Sequence, residues 1–267
     1  NTVFALTALL FVAVRLTKNL KHKNRILVGL LISYPVVSYI LLLGGFGILP
    51  IVETYKLGGL MLTLIIAAFG IIISFPIGIL LALGRQSELP TVRFFSVMYI
   101  EFIRAVPLIT ILFMASNVLP LFFDAGVTMD KLVRALIAIT LFQAAYMAEV
   151  VRGGLQAIPK GQYEAADAIG LSYYQKNILI VLPQALKISI PNIVGSSISL
   201  FKDTTLVLII GLMDFLAVVT GAAADKEWLG RHLEGYVFVA MVLWVMLYTM
   251  SRYSKKLELR FNTENTN

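Results

Sequence analysis

Six long apolar runs, interrupted by few or no charges, dominate this sequence. A helix needs about 20 residues to cross the hydrocarbon of a bilayer, where it satisfies its own backbone hydrogen bonds. Only 14% of the residues are charged, against about 25% in soluble domains, and the alternating pattern of a membrane barrel is absent. The sequence therefore predicts an all-α, polytopic membrane helix bundle and excludes an ordinary soluble enzyme. The runs are Ile26–Gly45, Leu57–Gly84, Phe94–Phe123, Leu132–Val151, Ile188–Met213 and Gly235–Ser251.

The first apolar stretch, Val3–Val14, is shorter than these runs and too short to span a bilayer. Its basic residues follow it, between Arg15 and Arg25, whereas a signal peptide carries them in front. We interpret this stretch as the end of a further helix. An interfacial segment is the alternative.

The positive charges predict how the bundle is oriented. The net charge is +7, but the basic residues lie in short loops between apolar runs, which argues against a nucleic-acid partner. Most of the 22 Lys and Arg residues fall on one side if the Arg15–Arg25 loop faces the cytoplasm. The positive-inside rule then places the loop Arg152–Lys187 and the tail after Arg252 in the cytoplasm as well.

The loop Arg152–Lys187 is the longest polar segment of the chain. The residues from Glu164 to Ala168 have high helix propensity, and Gly170 permits a sharp reversal after them. We predict a short helix, a turn at Gly170-Leu171-Ser172 and a second helical stretch over Tyr173–Leu182. Small side chains at Ala165, Ala166 and Ala168 would let a partner surface approach closely, inside a charged rim of Glu164 and Asp167.

This loop resembles the signature of the membrane subunits of type I ATP-binding-cassette (ABC) importers. The signature is Glu-Ala-Ala, three residues, Gly, nine residues, Ile, one residue, Leu-Pro; here it reads Glu164-Ala165-Ala166, Gly170, Ile180 and Leu182-Pro183. The resemblance implies a permease core of five helices and a cytoplasmic coupling helix that docks on a separate ATPase. The residues implied for this coupling are Glu164, Ala165, Ala166, Asp167, Gly170, Leu171 and Ser172.

Flanking residues resemble the polar-amino-acid branch of these importers. The run Ala145-Tyr146-Met147-Ala148-Glu149-Val150-Val151-Arg152-Gly153-Gly154 looks like a stretch typical of that branch. The chain departs from the branch at Ser196, Thr205 and Asp214-Phe215. The resemblance implies ATP-driven import of polar or general L-amino acids.

The resemblance also implies a domain division, partners and a location. Residues 1–56 would form extra N-terminal helices, as in the larger general L-amino-acid permeases, residues 57–252 the permease core with its loop 152–187, and residues 253–267 a cytoplasmic tail. The implied partners are ABC ATPase subunits, a second and different permease, a periplasmic amino-acid-binding protein and membrane lipid. ATP and Mg²⁺ would bind to the ATPase, with no cofactor in this chain, and the complex would lie in a bacterial inner membrane.

Two charges interrupt the predicted span Phe94–Phe123. A charged side chain inside a membrane helix costs about 2.5–3.5 kcal/mol, so it usually faces the bundle interior or a wet cavity. Glu101 and Arg104 stand at i and i+3, where they can neutralise each other; the alternative is a role in binding a zwitterion or in gating. Pro107 follows and predicts a bend.

A second charged pair, Lys202 and Asp203, lies in the predicted span Ile188–Met213. Adjacent residues point about 100° apart on a helix, so each needs its own partner. Asp203 could accept the ammonium of an amino acid while Lys202 or Arg104 binds its carboxylate, with the Thr204 hydroxyl nearby. The alternative is an ion pair that stabilises the bundle.

Sequence motifs for catalysis are absent. No Gly-x-x-x-x-Gly-Lys-Ser/Thr run is present to bind ATP phosphates, and the histidines, His22 and His232, lack the spacing of a zinc protease. We therefore expect a transport subunit that is not an enzyme and holds no metal. The alternative is an ion- or proton-coupled secondary transporter with Glu101, Glu149 and Asp203 as its relay.

Overall fold

The computed structural model describes residues 57–124 and 129–263, with side chains to Leu259. The described residues are helical, which confirms the all-α prediction, and residues from Gly58 onward form one compact unit. The predicted segments Val3–Val14 and Ile26–Gly45 lie outside the described residues. The helices are α1 (Gly59–Arg85), α2 (Pro90–Ala105), α3 (Leu108–Asn117), α4 (Lys131–Gln156), α5 (Lys160–Ala168), α6 (Tyr173–Ile210), α7 (Phe215–Ala223) and α8 (His232–Thr263).

Four of these helices, α1, α4, α6 and α8, are long and apolar enough to cross a membrane. The pair α2 and α3 makes a fifth crossing if it is counted as one span, but the two helices meet at an angle of 100°. The bend predicted at Pro107 is therefore confirmed, and it divides the predicted span Phe94–Phe123 into two helices. Pro107 is the cause: it disfavours helical geometry at Val106, which is extended (φ −105°, ψ 132°), and it starts α3 instead.

Helix α4 is the centre of the described bundle. Its buried side chains lie on most of its circumference, and α1 and α6 make the most extensive contacts with it. Glycine allows the close approach: a Cβ on Gly78 of α1 would stand 2.7 Å from the Cβ of Met147, and one on Gly154 would clash with Ser189 and the Ala185 backbone of α6. Small residues at such crossings are typical of membrane helix packing.

Helix α6 changes its winding along its length. It begins as one α-helical turn, becomes a π-helix over Lys176–Val181, is α-helical over Leu182–Asp203 and ends as a 3₁₀-helix over Thr204–Ile210. The predicted helical stretch Tyr173–Leu182 continues through Pro183 to Ile210 as one helix. A proline ring crowds the carbonyl four residues earlier, and the wider π-turn accommodates it.

A short connection after α6 fixes the beginning of α1. Gly211 ends α6 in the left-handed conformation (φ 78°), and the buried Asp214 carboxylate caps α7 by accepting hydrogen bonds from the Leu216 and Ala217 amides. The amide of Gly59 donates to the Met213 carbonyl at 2.9 Å. This connection ties the first residues of α1 to the loop between α6 and α7.

Candidate functional site

A cavity of about 470 Å³ lies between α4 and α6. This volume falls within the roughly 300–1,000 Å³ of small-molecule sites. Four lining residues come from α4 and five from α6, and on each helix they recur at intervals of three or four residues, so that they share one face. The lining residues are Phe142, Gln143, Tyr146 and Val150 of α4 and Asn192, Gly195, Ser196, Ser199 and Asp203 of α6.

The lining combines an acid with neutral hydrogen-bonding groups. The Gln143 amide nitrogen donates to the Ser196 hydroxyl at 2.9 Å and thereby links the two walls. Among the described residues, no side chain forms a hydrogen bond or an ion pair with the Asp203 carboxylate. The ion-pair alternative for Asp203 therefore has no partner within this part of the chain, and the carboxylate lines the cavity as an acceptor.

Only Asp203 among the five predicted substrate-path residues lines this cavity. Lys202 is exposed on the adjacent side of α6, and the buried Thr204 hydroxyl donates to the Phe201 carbonyl at 2.8 Å. Glu101 and Arg104 lie on α2, although the Arg104 guanidinium stands 5.7 Å from the centroid of the cavity-lining Tyr146 ring. Gln143, Asn192 and Ser199 were not predicted as site residues, although polar residues at helical spacing within apolar spans indicate such a face.

Glu149 lies one residue before the cavity-lining Val150 and forms ion pairs on three sides. Its carboxylate accepts from Arg85 of α1 at 2.7 Å and from Arg152 of α4 at 2.7 and 3.0 Å, and Arg104 of α2 approaches to 3.6 Å. Arg85 also donates to Glu101 at 2.9 Å. We call these five residues the Glu149 ion cluster; it joins α1, α2 and α4.

The expected pairing of Glu101 with Arg104 is therefore wrong. The spacing allows it, but neighbouring helices supply other partners: Arg85 for Glu101 and Glu149 for Arg104. Charges that appeared to form a pair within one helix instead connect separate helices.

We expect Glu149→Gln to destabilise the bundle by about 3 kcal/mol, because three guanidinium groups would lose the carboxylate that neutralises them. The Glu149 side chain is 14% exposed, whereas Glu101 is 54% exposed and, within the described ranges, pairs with Arg85 alone. Glu101→Gln is thus the matched control, with an expected loss below about 1 kcal/mol. Thermal unfolding in detergent measures both, and equal midpoints for the two variants would refute the ranking.

The predicted short helix and turn are present between α4 and α6. Helix α5 ends at Ala168, and Gly170 two residues later is left-handed (φ 75°). The Gly170 amide donates to the Asp167 carbonyl at 2.9 Å and the Leu171 amide donates to the Ala166 carbonyl at 3.1 Å. These two bonds make a Schellman motif, the usual way in which a glycine ends a helix.

Several predicted coupling residues hold this turn together. Ser172 caps α6 in a capping box: its hydroxyl accepts from the Gln175 amide, and its own amide donates to the Gln175 side chain at 3.0 Å. Lys176 pairs with Asp167 at 2.7 Å, so that Asp167 is bound within the chain. Ala166 is fully buried and faces the chain itself, contrary to the expected contact with a partner.

The outer side of α5 remains open. Glu164, Ala165 and Ala168 are exposed, and Ile169 at its end is 72% exposed, an apolar residue that the sequence analysis missed. On its inner side, Tyr163 packs on a core cluster of α4 and α6 residues and donates to the Leu155 carbonyl at 3.4 Å. Burial raises the pKa of Tyr163, which favours the protonated phenol as the donor. Gln184 of α6 donates to Gln162 of α5 at 3.0 Å.

Apolar spanning helices, a polar cavity between two of them and a small amphipathic helix that connects these two define a membrane permease subunit. The family of inner membrane components of binding-protein-dependent transport systems matches residues 74–262. The chain belongs to this family.

Two curated relatives and one solved structure are similar to this chain. The inner membrane amino-acid ABC transporter permease protein YhdY of Escherichia coli K12 is 54% identical over 98% of the chain and 71% of the relative. The glutamate/glutamine/aspartate/asparagine transport system permease protein BztC of Rhodobacter capsulatus is 52% identical over 81% of the chain, and the match spans half the length of BztC. The crystal structure of an amino acid ABC transporter with histidines has a TM-score of 0.67 and 28% identity, covering 76% of this chain and 92% of that one.

These findings confirm the resemblance to ABC importer permeases. YhdY and the solved structure are named as ABC transporter proteins, so the alternative of an ion- or proton-coupled secondary transporter is set aside.

Proposed function

We propose that this chain is the permease of an ATP-driven importer of polar or general L-amino acids, in which α5 couples a separate ATPase to the cavity between α4 and α6. The names of two relatives support this substrate class: YhdY is named for amino-acid transport, and BztC for transport of glutamate, glutamine, aspartate and asparagine. The chain supplies the path and the mechanical connection, and ATP with Mg²⁺ binds to the ATPase.

The position of α5 carries the coupling proposal. It follows the carboxyl end of α4 and precedes the amino end of α6, the two helices that line the cavity. Tyr163 and Gln162 attach it to both of them, and the Schellman motif with the Asp167–Lys176 ion pair makes the turn stiff. Because α5 is fixed to both walls, a force on its exposed side would move the walls relative to each other. A flexible loop would absorb that displacement.

The chemistry of the cavity supports an amino-acid substrate. A zwitterion needs an acceptor for its ammonium and donors for its carboxylate. Asp203 is the acceptor, and Asn192, Ser196 and Ser199 supply neutral donors. Arg104, held against Tyr146, adds a positive charge at the edge of the cavity. Lys202 and Thr204 are next to Asp203 in the sequence but do not line the cavity, so we assign them no contact with the substrate.

The remaining subunits follow from the proposed transport cycle. An ATPase would dock on the cytoplasmic side of α5, a second and different permease would complete the path, and a periplasmic amino-acid-binding protein would deliver substrate to the opposite side. The charge distribution of the sequence supports this orientation, since basic residues gather with the α4–α6 connection on one side.

Reconstitution tests this proposal. The chain, its partner permease, the ATPase and the binding protein are placed in liposomes, and uptake of labelled glutamate, glutamine, aspartate and asparagine is followed with ATP enclosed. We expect uptake that requires both ATP and the binding protein, and little uptake of a sugar used as control. Uptake driven equally well by a proton gradient without ATP would contradict the proposal.

A further inference from the structure

The last helix carries an aromatic and basic stripe at the level where a membrane ends. Glu234 and Arg252 bound a stretch of α8 without charges and stand 18 residues apart. At about 1.5 Å per residue this distance is about 27 Å, close to the roughly 30 Å of bilayer hydrocarbon. Arg252 therefore lies at the headgroup level when the uncharged stretch spans the membrane.

Stacked side chains lie below this level: Tyr248 is one turn before Arg252, and Trp244 is about two turns before it, near the middle of the uncharged stretch. The rings of Trp244 and Tyr248 stack at 5.1 Å with 16° between their planes, and the Arg252 guanidinium lies 5.8 Å from the Tyr248 centroid. Trp244 is 63% exposed, so this stack faces outward. Tyr is typical of membrane interfaces, where one part of the ring meets lipid and another meets water, and this preference fits the position of Tyr248. The stack thus leads from the hydrocarbon to a guanidinium at the membrane surface.

Beyond the stack, one face of α8 forms a shallow groove. Thr249, Arg252, Tyr253 and Lys256 recur at helical spacing, with Lys255 and Leu259 at its edges. The basic side chains are exposed, and within the described residues none of the three forms an ion pair. Glu258 is the acid on this segment. The groove therefore combines three positive charges with two hydroxyl groups and an apolar edge.

We propose that this groove binds the headgroup of an anionic phospholipid. The phosphodiester would lie against Arg252 and Lys256 and accept a hydrogen bond from Tyr253, while the acyl chains extend along Trp244 and Tyr248. The charge of the groove and its position at the membrane surface together favour this occupant. A zwitterionic lipid lacks the net negative charge, and a soluble phosphate has no acyl chains to contact the aromatic stack. The lipid would hold this part of α8 at the membrane surface, about two turns before the helix ends at Thr263.

Native mass spectrometry of the purified chain, with the subunits that it retains, tests the proposal. Phosphatidylglycerol and phosphatidylcholine are titrated separately into detergent. We expect preferential retention of phosphatidylglycerol. In the double variant Arg252→Gln and Lys256→Gln, phosphatidylglycerol binding should weaken about thirtyfold, since each basic residue near a membrane surface adds to the attraction. Both positions are exposed, so the variant keeps the core contacts of the bundle.

Matched variants separate the possible outcomes. Lys226→Gln with Arg231→Gln removes two basic residues before the other end of α8 and should leave phosphatidylglycerol binding unchanged. Arg252→Lys with Lys256→Arg keeps the charges and should also preserve it. Equal retention of the two lipids, equal binding by the Gln double variant, or displacement of the lipid by millimolar inorganic phosphate would each overturn the proposal.

Discussion

Replacing Asp203 by Asn is expected to lower ATP-driven amino-acid uptake by about 10- to 100-fold. Asp203 supplies the acidic group of the cavity lining, and a charged hydrogen bond to a substrate ammonium contributes about 1.5–3 kcal/mol. Asn keeps the size of the side chain and loses the charge, so the bundle and its assembly should persist. Uptake into liposomes at several substrate concentrations measures the effect, which should appear mainly as a raised KM.

The neighbouring residue is the control for Asp203. Lys202→Gln also removes one charge from the same turn of α6, but its side chain is exposed and does not line the cavity. We expect uptake within about twofold of the unaltered protein. A larger loss from Lys202→Gln than from Asp203→Asn would reverse the assignment and place the path on the other side of α6.

The spanning helices were predictable because apolar length is a property of the sequence alone. Their ends were less so. Val106 broke the predicted span Phe94–Phe123 because the following proline excludes helical geometry there, a local effect that hydropathy does not register. Pro183 had the opposite outcome: the π-turn before it accommodated its ring, and α6 continued beyond the predicted end at Leu182. Proline alone does not say which of these outcomes occurs.

The candidate site was predictable in part. The turn after α5 depends on Gly170 and Ser172, whose local geometry follows from their residue types, and both took their expected places. Ala166 was expected to face a partner but is buried within the chain. The side of a short helix that packs inward depends on the core beneath it. The predicted pairing of Glu101 with Arg104 was wrong for a similar reason: their partners, Arg85 and Glu149, come from other helices.

The cavity-lining face of α6 carries a pattern that can be read from the sequence. Asn192, Ser196, Ser199 and Asp203 stand at intervals of three or four residues on one face of a span that is otherwise apolar. Such a polar stripe is costly against lipid, so it indicates a face turned toward water or another protein. Lys202 and Arg104 were predicted as site residues because they are charged residues within predicted spans. The helical spacing of polar residues instead identifies the neutral residues that share the face of Asp203.

Replacing Ile169 by Asp is expected to weaken retention of the ATPase by about tenfold or more, and ATP-driven uptake should fall in parallel. Ile169 is 72% exposed at the end of α5, and an apolar side chain at the centre of an interface contributes about 1–3 kcal/mol. Its backbone conformation (φ −90°, ψ 8°) is open to any residue, so the Schellman turn should survive the change. Glu164→Lys, which reverses a charge on the same exposed side, should act in the same direction.

Leu229→Asp is the matched control for this prediction, because Leu229 is equally exposed at 72% but lies in the connection before α8. Copurification of tagged permease with the ATPase measures retention, and thermal unfolding of the permease alone checks that the fold is intact. If α5 is the docking helix, Ile169→Asp loses the ATPase at an unchanged unfolding midpoint, whereas Leu229→Asp retains it. Equal retention by the two variants would mean that the ATPase binds elsewhere, and the stiff connection between α5 and the cavity walls would then serve folding and not transport.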